Sequence, residues 1–429
     1  MEGNAAMINT SPLARFQPLG DGRLLRPIYQ DYAFGNIPNT IEFLLTGARR
    51  APLLPADCFG GTYPHPDKVV LIFIDSFGWE FWQDYHARFR ATRLVVEKGT
   101  LTPVSALFPT TTAASVSTMN LGVLPSQHAL YEWNIYIPAY GEVIQSLAFA
   151  PLGRHRNDAC ARKGYDPAKL LEVHETVHQR LARAGVRSIQ FAHREYATSA
   201  YNSMASAGAE IVRHSTAAEG LVQLKEALVA ITGKAWLNFY WGALDTAAHV
   251  HGPGSAYHAA EIASFWRTFD EVFQDVASAR TLYLFTADHG HVYADAAQTL
   301  YLNERFPQLP GCLRRSHTRS PIYPNGSPRD VFLHLRPERS DEVLALLTRE
   351  LHELALVMPM EVALAEGLFG PEPACAELRR RLGDMLILPY LGKFIWWREP
   401  GVMQNNFYGH HGGLTRQELV TVVGAIDAL

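Results

Sequence analysis

The sequence has little of several things, and each shortage narrows the reading. Four cysteines, Cys58, Cys160, Cys312 and Cys375, stand far apart among 429 residues with no C-x-x-C pair, so neither a disulfide framework nor a thiolate-ligated zinc site is expected. No apolar run approaches the roughly 18 residues of a membrane span; the longest lie around Val69–Ile74 and Thr281–Phe285. An excess of one charge is also missing. With 38 Lys+Arg against 42 Asp+Glu, a formal charge of −4 and no cationic block, neither a dedicated nucleic-acid surface nor attachment to anionic lipid is expected. The opening residues, Met1 to Met7, carry neither the basic nor the apolar part of a secretory leader, so the expected address is the cytoplasm. What is plentiful is apolar mass: 48% hydrophobic residues against 19% charged can bury a large core, which excludes disorder as the main state.

Along the chain, residues 1–60 are rich in Pro, Asn, Gly and Leu without clear periodicity and read as an extended arm laid over a core. From Lys68 a continuous run, Val69-Val70-Leu71-Ile72-Phe73-Ile74, has the character of a strand buried on both faces, the pattern of a parallel sheet. Similar runs recur at 186–191, 235–241 and 281–286, separated by helical stretches such as 261–276, where Ile262, Phe265, Trp266, Phe269, Val272, Phe273 and Val276 form one stripe. The expected fold is α/β, a mostly parallel central sheet flanked by helices. Residues 61–300 form the first part of its core. Prolines at 307, 310, 321, 324 and 328 open a segment, 301–380, read as an inserted smaller subdomain, with a strand at 331–335 and a helix at 340–353. Residues 381–429 return to the core: an apolar run at 385–388 leads past Trp396-Trp397 to the Gly- and His-rich stretch ending in Gly412-Gly413, where the sheet is re-entered.

Three aspartates share one context. Asp75, Asp245 and Asp288 each follow an apolar run, and functional groups in parallel sheets gather at the carboxyl ends of strands. Two of them carry histidines: Asp245-x-x-x-His249, one face of a helical turn, and Asp288-His289, which can share a site only in an irregular turn, where Gly290 gives permissive backbone. A further group, His410-His411-Gly412-Gly413, lies near the C-terminus. Oxygen and imidazole donors without thiolate suit zinc, with manganese and iron as alternatives. The run Pro109-Thr110-Thr111-Thr112-Ala113-Ala114-Ser115 offers a hydroxyl at a helix start. A threonine there caps helices for structural reasons alone, but exposed amides also attract phosphate oxygens, and a coordinated metal makes the hydroxyl a competent nucleophile.

In order, Asp75, Phe108-Pro109-Thr110-Thr111-Thr112, Gly122-Val123-Leu124-Pro125-Ser126-Gln127-His128, Asp245-x-x-x-His249, Asp288-His289-Gly290 and His411-Gly412-Gly413 resemble the motifs of the alkaline phosphatase superfamily, in its type I phosphodiesterase/nucleotide pyrophosphatase branch. The resemblance spans about 69–413. It implies an alkaline phosphatase-like core and two divalent ions, zinc by family habit, with Asp245, His249 and His411 around one and Asp75, Thr112, Asp288 and His289 around the other. Thr112 takes the nucleophile's place, three residues after Pro109, with Thr110 and Thr111 as the alternatives; His411 is preferred to His410 because glycine follows it. His251 and His291 match no ligand position and are assigned to the surroundings or the surface. The implied activity is hydrolysis of a phosphodiester or pyrophosphate bond in a small-molecule phosphoester, a nucleotide among the candidates, through a phosphothreonine.

Two positions depart from the branch's pattern. Its phosphate-binding asparagine would fall at Trp133, one place before Asn134, and its glycine after the motif histidine is Ala129 here. Either Asn134 serves from a shifted turn, or a different donor does and Trp133 lines a leaving-group pocket; Trp133, Tyr131 and Trp79 are candidate leaving-group contacts, with the core as the stronger claim on all three rings. The departure keeps a phosphomonoesterase and a phosphoglycerate mutase-like phosphotransferase as alternatives, although the latter needs a serine nucleophile. A sulfatase lacks its Cys-x-Pro-x-Arg segment. From another class, a catalytically silent metal-bearing binding module would keep the ligands without turnover.

Overall fold

In the strand Lys68–Ile74 every second side chain faces a different layer, and this fixes the architecture. Val70, Ile72 and Ile74 pack with Trp82, Phe265 and Trp266 on one side, whereas Val69, Leu71 and Phe73 pack with Ile41, Leu45 and Trp236 on the other. A strand apolar on both faces must be covered on both, so helices flank it. The computed structural model describes residues 7–50, 52–154, 156–276, 279–371 and 373–429.

Among the described residues the central sheet has eight strands: β1 (Met7–Ile8), β2 (Lys68–Ile74), β3 (Thr100–Ser105), β4 (Arg187–His193), β5 (Glu210–His214), β6 (Ala235–Trp241), β7 (Thr281–Thr286) and β8 (Val420–Ile426). Their order is β1-β3-β8-β7-β2-β6-β4-β5. Neighbours run parallel except β8, which is antiparallel to both β3 and β7. Three helices stand out: α1 (Thr112–Leu121), α2 (Ala243–His251) and α3 (Ala256–Phe273). Ser255 caps α3 by accepting from the His258 amide, and the stripe Ile262, Phe265, Trp266, Phe269 and Phe273 is buried against the sheet. Among the described residues no helix is long and apolar enough to cross a membrane.

The arm is not extended throughout. It holds a ten-residue helix, Ile37–Thr46, and contributes edge strand β1. Pro38 in the helix's first turn and Gly47 in left-handed conformation at its end bound the helix, which is buried on most sides. The 301–380 segment carries strands Asn325–Ser327, Asp330–Leu333 and Ala355–Pro359 and the helix Ser340–Leu351. Its antiparallel sheet is completed by Met385–Pro389, which pairs with both Asp330–Leu333 and Ala355–Pro359. The run at 385–388 therefore belongs to the sheet of the inserted segment, and the chain rejoins the central sheet beyond Gly413, at β8. A short apolar run does not disclose which sheet it joins.

The two sheets are tied through a buried ion pair. Arg329 donates from Nε and Nη2 to the two carboxylate oxygens of Glu418, both at 2.9 Å, and from Nη2 and Nη1 to the carbonyls of Pro389 (2.9 Å) and Tyr390 (2.8 Å). Burial pushes the Glu418 carboxyl up, but the Arg329 guanidinium outweighs it and holds the group below its usual 4.5. A depressed carboxyl contributes stability at neutral pH that is lost as the pH falls through its folded value. Removing one partner of a buried pair strands the other, so Arg329→Ala should lower the unfolding free energy at pH 7 by about 3–5 kcal/mol. In denaturant titrations its deficit against wild type should shrink as the pH drops below 4.5.

Candidate metal centre

Three neighbouring strands deliver the acidic side chains to one edge of the sheet. β7, β2 and β6 lie in parallel register, with Thr286 opposite Phe73 and Trp241 opposite Ile74. Asp75 follows β2 directly, Asp288 leaves β7 in an irregular loop, and Asp245 sits in the first turn of α2 after β6. Loop space there is tight: any side chain at Gly290 would run into the Gln417 carbonyl, so it is close approach, and not a left-handed backbone, that requires this glycine.

Two groups of donor atoms result. In the first, Asp75, Asp288 and His289 each offer an atom within 4.8 Å of the others, and all three are buried. His289 Nε2 lies 3.4 Å from Asp288 Oδ2 and 3.6 Å from Asp75 Oδ1. Asp288 Oδ1 accepts from the amides of Ser76 (3.1 Å) and His289 (3.2 Å), whereas its Oδ2 is buried without a hydrogen-bond partner. The Thr112 hydroxyl, at the first position of α1, lies 3.2 Å from Asp75 Oδ2 and 3.4 Å from His289 Nε2. The Tyr240 hydroxyl donates to the same Asp75 oxygen.

The second group joins Asp245, His249, His291 and His411. His249 Nε2 is 3.3 Å from Asp245 Oδ2 and 3.2 Å from His411 Nε2, and His411 Nε2 is 3.6 Å from Asp245 Oδ1. Three imidazoles of the two groups are oriented alike. The Nδ1 of His249 donates to Gly409 O (2.7 Å), that of His411 to Thr110 O (2.7 Å) and that of His289 to Gly290 O (3.1 Å), leaving each Nε2 lone pair turned inward.

Electrostatics agree with a cation at each group. Burial, reinforced by the charges of Asp288 and Asp245, pushes the Asp75 carboxyl well up. Burial drives His411 far down and His291 to about 3, so both rings are neutral and can offer lone pairs. Two inward lone pairs 3.2 Å apart, on His249 and His411, repel unless something positive lies between them. Tetrahedral nitrogens bonded to zinc at about 2.0–2.1 Å would stand about 3.3 Å apart. The donor set, carboxylate and imidazole with the orphaned Asp288 oxygen, fits divalent ions.

The three threonines separate cleanly. The Thr110 hydroxyl donates to Gly413 O (3.0 Å) and accepts from the Gly412 amide (2.9 Å), so it braces the C-terminal loop. Thr111 is buried and its hydroxyl serves Glu132, leaving Thr112 as the hydroxyl that faces the carboxylates. His410 turns away to Asn405 Oδ1 (2.8 Å), and His251 stacks on Tyr257 with ring centres 4.0 Å apart. His128 is buried against Thr118 Oγ1 at 3.0 Å, and Ala129 follows it with φ of 65°, a left-handed position that suits the glycine of the family pattern.

Some expected contacts are overturned. Tyr131 is fully buried, its hydroxyl donating to Arg381 O at 3.0 Å, and Trp79 is 1% exposed within the main helix-side core; neither ring can meet a ligand. Both follow motif residues closely, but core demand decided their direction. Asn134 donates its amide to Gly326 O at 2.9 Å, tying its strand to the second sheet. Trp133 is 39% exposed. His291, assigned by the sequence to the surroundings or surface, instead belongs to the second group, with Nε2 2.8 Å from Asp245 Oδ1. Its place two residues after His289, beyond Gly290, was the available signal. Phe407 gave none: it is 43% exposed, with its ring centre 5.2 Å from that of His249.

Comparison with known proteins is consistent with this geometry. The profile of the type I phosphodiesterase / nucleotide pyrophosphatase family matches residues 69–414. No curated protein matches the sequence significantly. Among solved structures, murine ectonucleotide pyrophosphatase/phosphodiesterase 5 is similar with a TM-score of 0.62 at 15% identity, over 83% of this chain and 87% of that one. An inactive variant of it in complex with AMP gives 0.62 at 14%, over 84% and 87%. Phosphonoacetate hydrolase from Sinorhizobium meliloti 1021, in complex with phosphonoacetate, gives 0.58 at 16%, over 85% and 92%. At such identities these likenesses show the fold.

Because the His291 ring fixes one oxygen of Asp245, His291→Ala should weaken metal retention by about 10- to 100-fold. Competition of zinc-loaded protein against a chelator, with metal read by atomic absorption, measures this. Retention equal to wild type would remove His291 from the centre.

Proposed function

Since the chain belongs to the type I phosphodiesterase/nucleotide pyrophosphatase family of phosphoester hydrolases, we propose that it hydrolyses a phosphodiester or nucleotide-like pyrophosphate bond through a Thr112 phosphoester, at a centre holding two divalent ions, zinc before manganese or iron. The observation that carries this reading is the Thr112 hydroxyl, 3.2 Å from Asp75 and 3.4 Å from His289 at the start of a helix.

Asp75, Asp288 and His289 would hold one ion beside Thr112, and Asp245, His249 and His411 the other, with His291 steadying Asp245. Bound there, the ions would supply the positive charge that lets a threonine hydroxyl ionise and that balances the departing oxygen. The Thr112 oxygen attacks phosphorus, the bond to the leaving oxygen breaks, and water then cleaves the phosphothreonine to restore the hydroxyl. Thr111, at the N-cap, contributes no side-chain cap, which leaves first-turn amides of α1 for a non-bridging phosphate oxygen. One well-placed donor of this kind is worth about 3 kcal/mol in the transition state.

For the substrate, AMP in the mouse relative and phosphonoacetate in the bacterial one agree with a small molecule bearing a phosphorus-centred group. Exposed Phe407, against His249, offers an aromatic face for its organic part, and exposed Trp133 is a second candidate.

Zinc-loaded wild type and Thr112→Ala should be compared on nitrophenyl diesters and monoesters. The variant should keep its metal and lose about 10³-fold or more in turnover, because it lacks the hydroxyl that attacks phosphorus. Diesters should be the better substrates. Equal turnover by both proteins would eliminate Thr112 as nucleophile, and faster monoester cleavage would favour a phosphomonoesterase.

A further inference from the structure

Away from the metal centre, an open cavity of about 410 Å³ lies between α3 and the turn that joins the helix Trp79–Tyr85 to the helix Arg90–Lys98. Four arginines, Arg88, Arg90, Arg93 and Arg267, line it against a single carboxylate, Asp270. That carboxylate is already committed: it accepts from the backbone amides of Arg90 (2.8 Å) and Ala91 (2.7 Å) and so caps a helix. Among the described residues, Arg93 alone of the four reaches an acidic partner, Glu97, at a loose 4.0 Å. Arg90 Nη1 is buried with no hydrogen-bond partner, a guanidinium nitrogen that has lost water and gained nothing.

In a chain of formal charge −4 this local concentration of positive charge is not a consequence of composition. Like charges gathered around a concavity raise one another's energy and draw in an anion. Planar guanidinium forks match tetrahedral oxyanions, and several together favour more than one negative charge. The cavity falls within the range of small-molecule sites. Ala259 and Ala263, one turn apart on α3, keep its floor open, while Tyr85 and Phe89 present rings parallel within 2° on its flank.

We propose that this cavity is a binding site for a phosphate dianion, free or carried on a small organic molecule, separate from the metal centre and independent of the hydrolytic reading. Arg88 and Arg267 are both exposed, so reversing their charge does not threaten the core. Zinc-loaded wild type and Arg88→Glu/Arg267→Glu should be titrated calorimetrically with inorganic phosphate and with AMP at low ionic strength. In wild type a binding event additional to that of the metal centre is expected. In the variant it should weaken by about 10- to 100-fold, with turnover of a nitrophenyl diester in phosphate-free buffer unchanged. Tighter binding of AMP than of phosphate would assign the site to a phosphorylated organic molecule, and the reverse order to the free ion. Identical titrations of the two proteins with both probes would overturn the proposal, as would a single binding event in wild type that the variant retains. Arg90→Lys, which keeps charge but not the fork, should weaken binding in the same direction.

Discussion

Three carboxylates, those of Asp75, Asp245 and Asp288, are gathered at one edge of the sheet, and among the described residues no lysine or arginine pairs with any of them; the side chains that face them are histidines. Asp75 and Asp288 are shut off from water, Asp245 is only partly exposed, and burial holds the His291 and His411 rings neutral. Such an arrangement is costly for a folded chain unless divalent cations complete it. Two such ions against three carboxylates would leave about one positive charge, the condition under which a threonine alkoxide at Thr112 is stable enough to attack phosphorus.

The rest of the molecule holds this charge cluster in place. β7, β2 and β6 run side by side in one direction, so their ends bring residues more than two hundred positions apart to the same edge. Backbone carbonyls fix three imidazoles, and one of those carbonyls, that of Thr110, ties the helix-start loop to His411. The second sheet braces the same loop: Ser327 Oγ donates to His411 O at 3.1 Å, and a side chain at Gly412, where φ is +126°, would meet Asp330 Oδ1 at 2.5 Å. Through Arg329 and Glu418 the inserted segment is thus part of what shapes the centre, beyond any role in covering it.

Much of this could be read from the residues. Runs apolar on both faces announced β2, β6 and β7, and the positions of Asp75, Asp245 and Asp288 after them placed the acidic groups at strand ends. Helical spacing joined Asp245 to His249. What sequence could not supply was direction and pairing. Tyr131 and Trp79 sit beside motif residues yet point into the core; His291 points inward because Gly290 lets the loop turn under the Gln417 carbonyl. The partner of the strand Met385–Pro389 and the exposed ring of Phe407 depend on contacts with distant chain, which local pattern does not encode, whereas Pro38 and Gly47 at the ends of the arm helix were local signals.

If the charge balance at this edge is as argued, two cations occupy it, one for each group of donors. Anomalous diffraction at the zinc absorption edge, from crystals grown with zinc, tests this most directly. Two strong peaks are expected, one at about 2.0–2.2 Å from donor atoms of Asp75, Asp288 and His289 and the other at the same distance from Asp245, His249 and His411. A single peak, or peaks bound by other side chains while these donors remain apart, would contradict a two-ion centre.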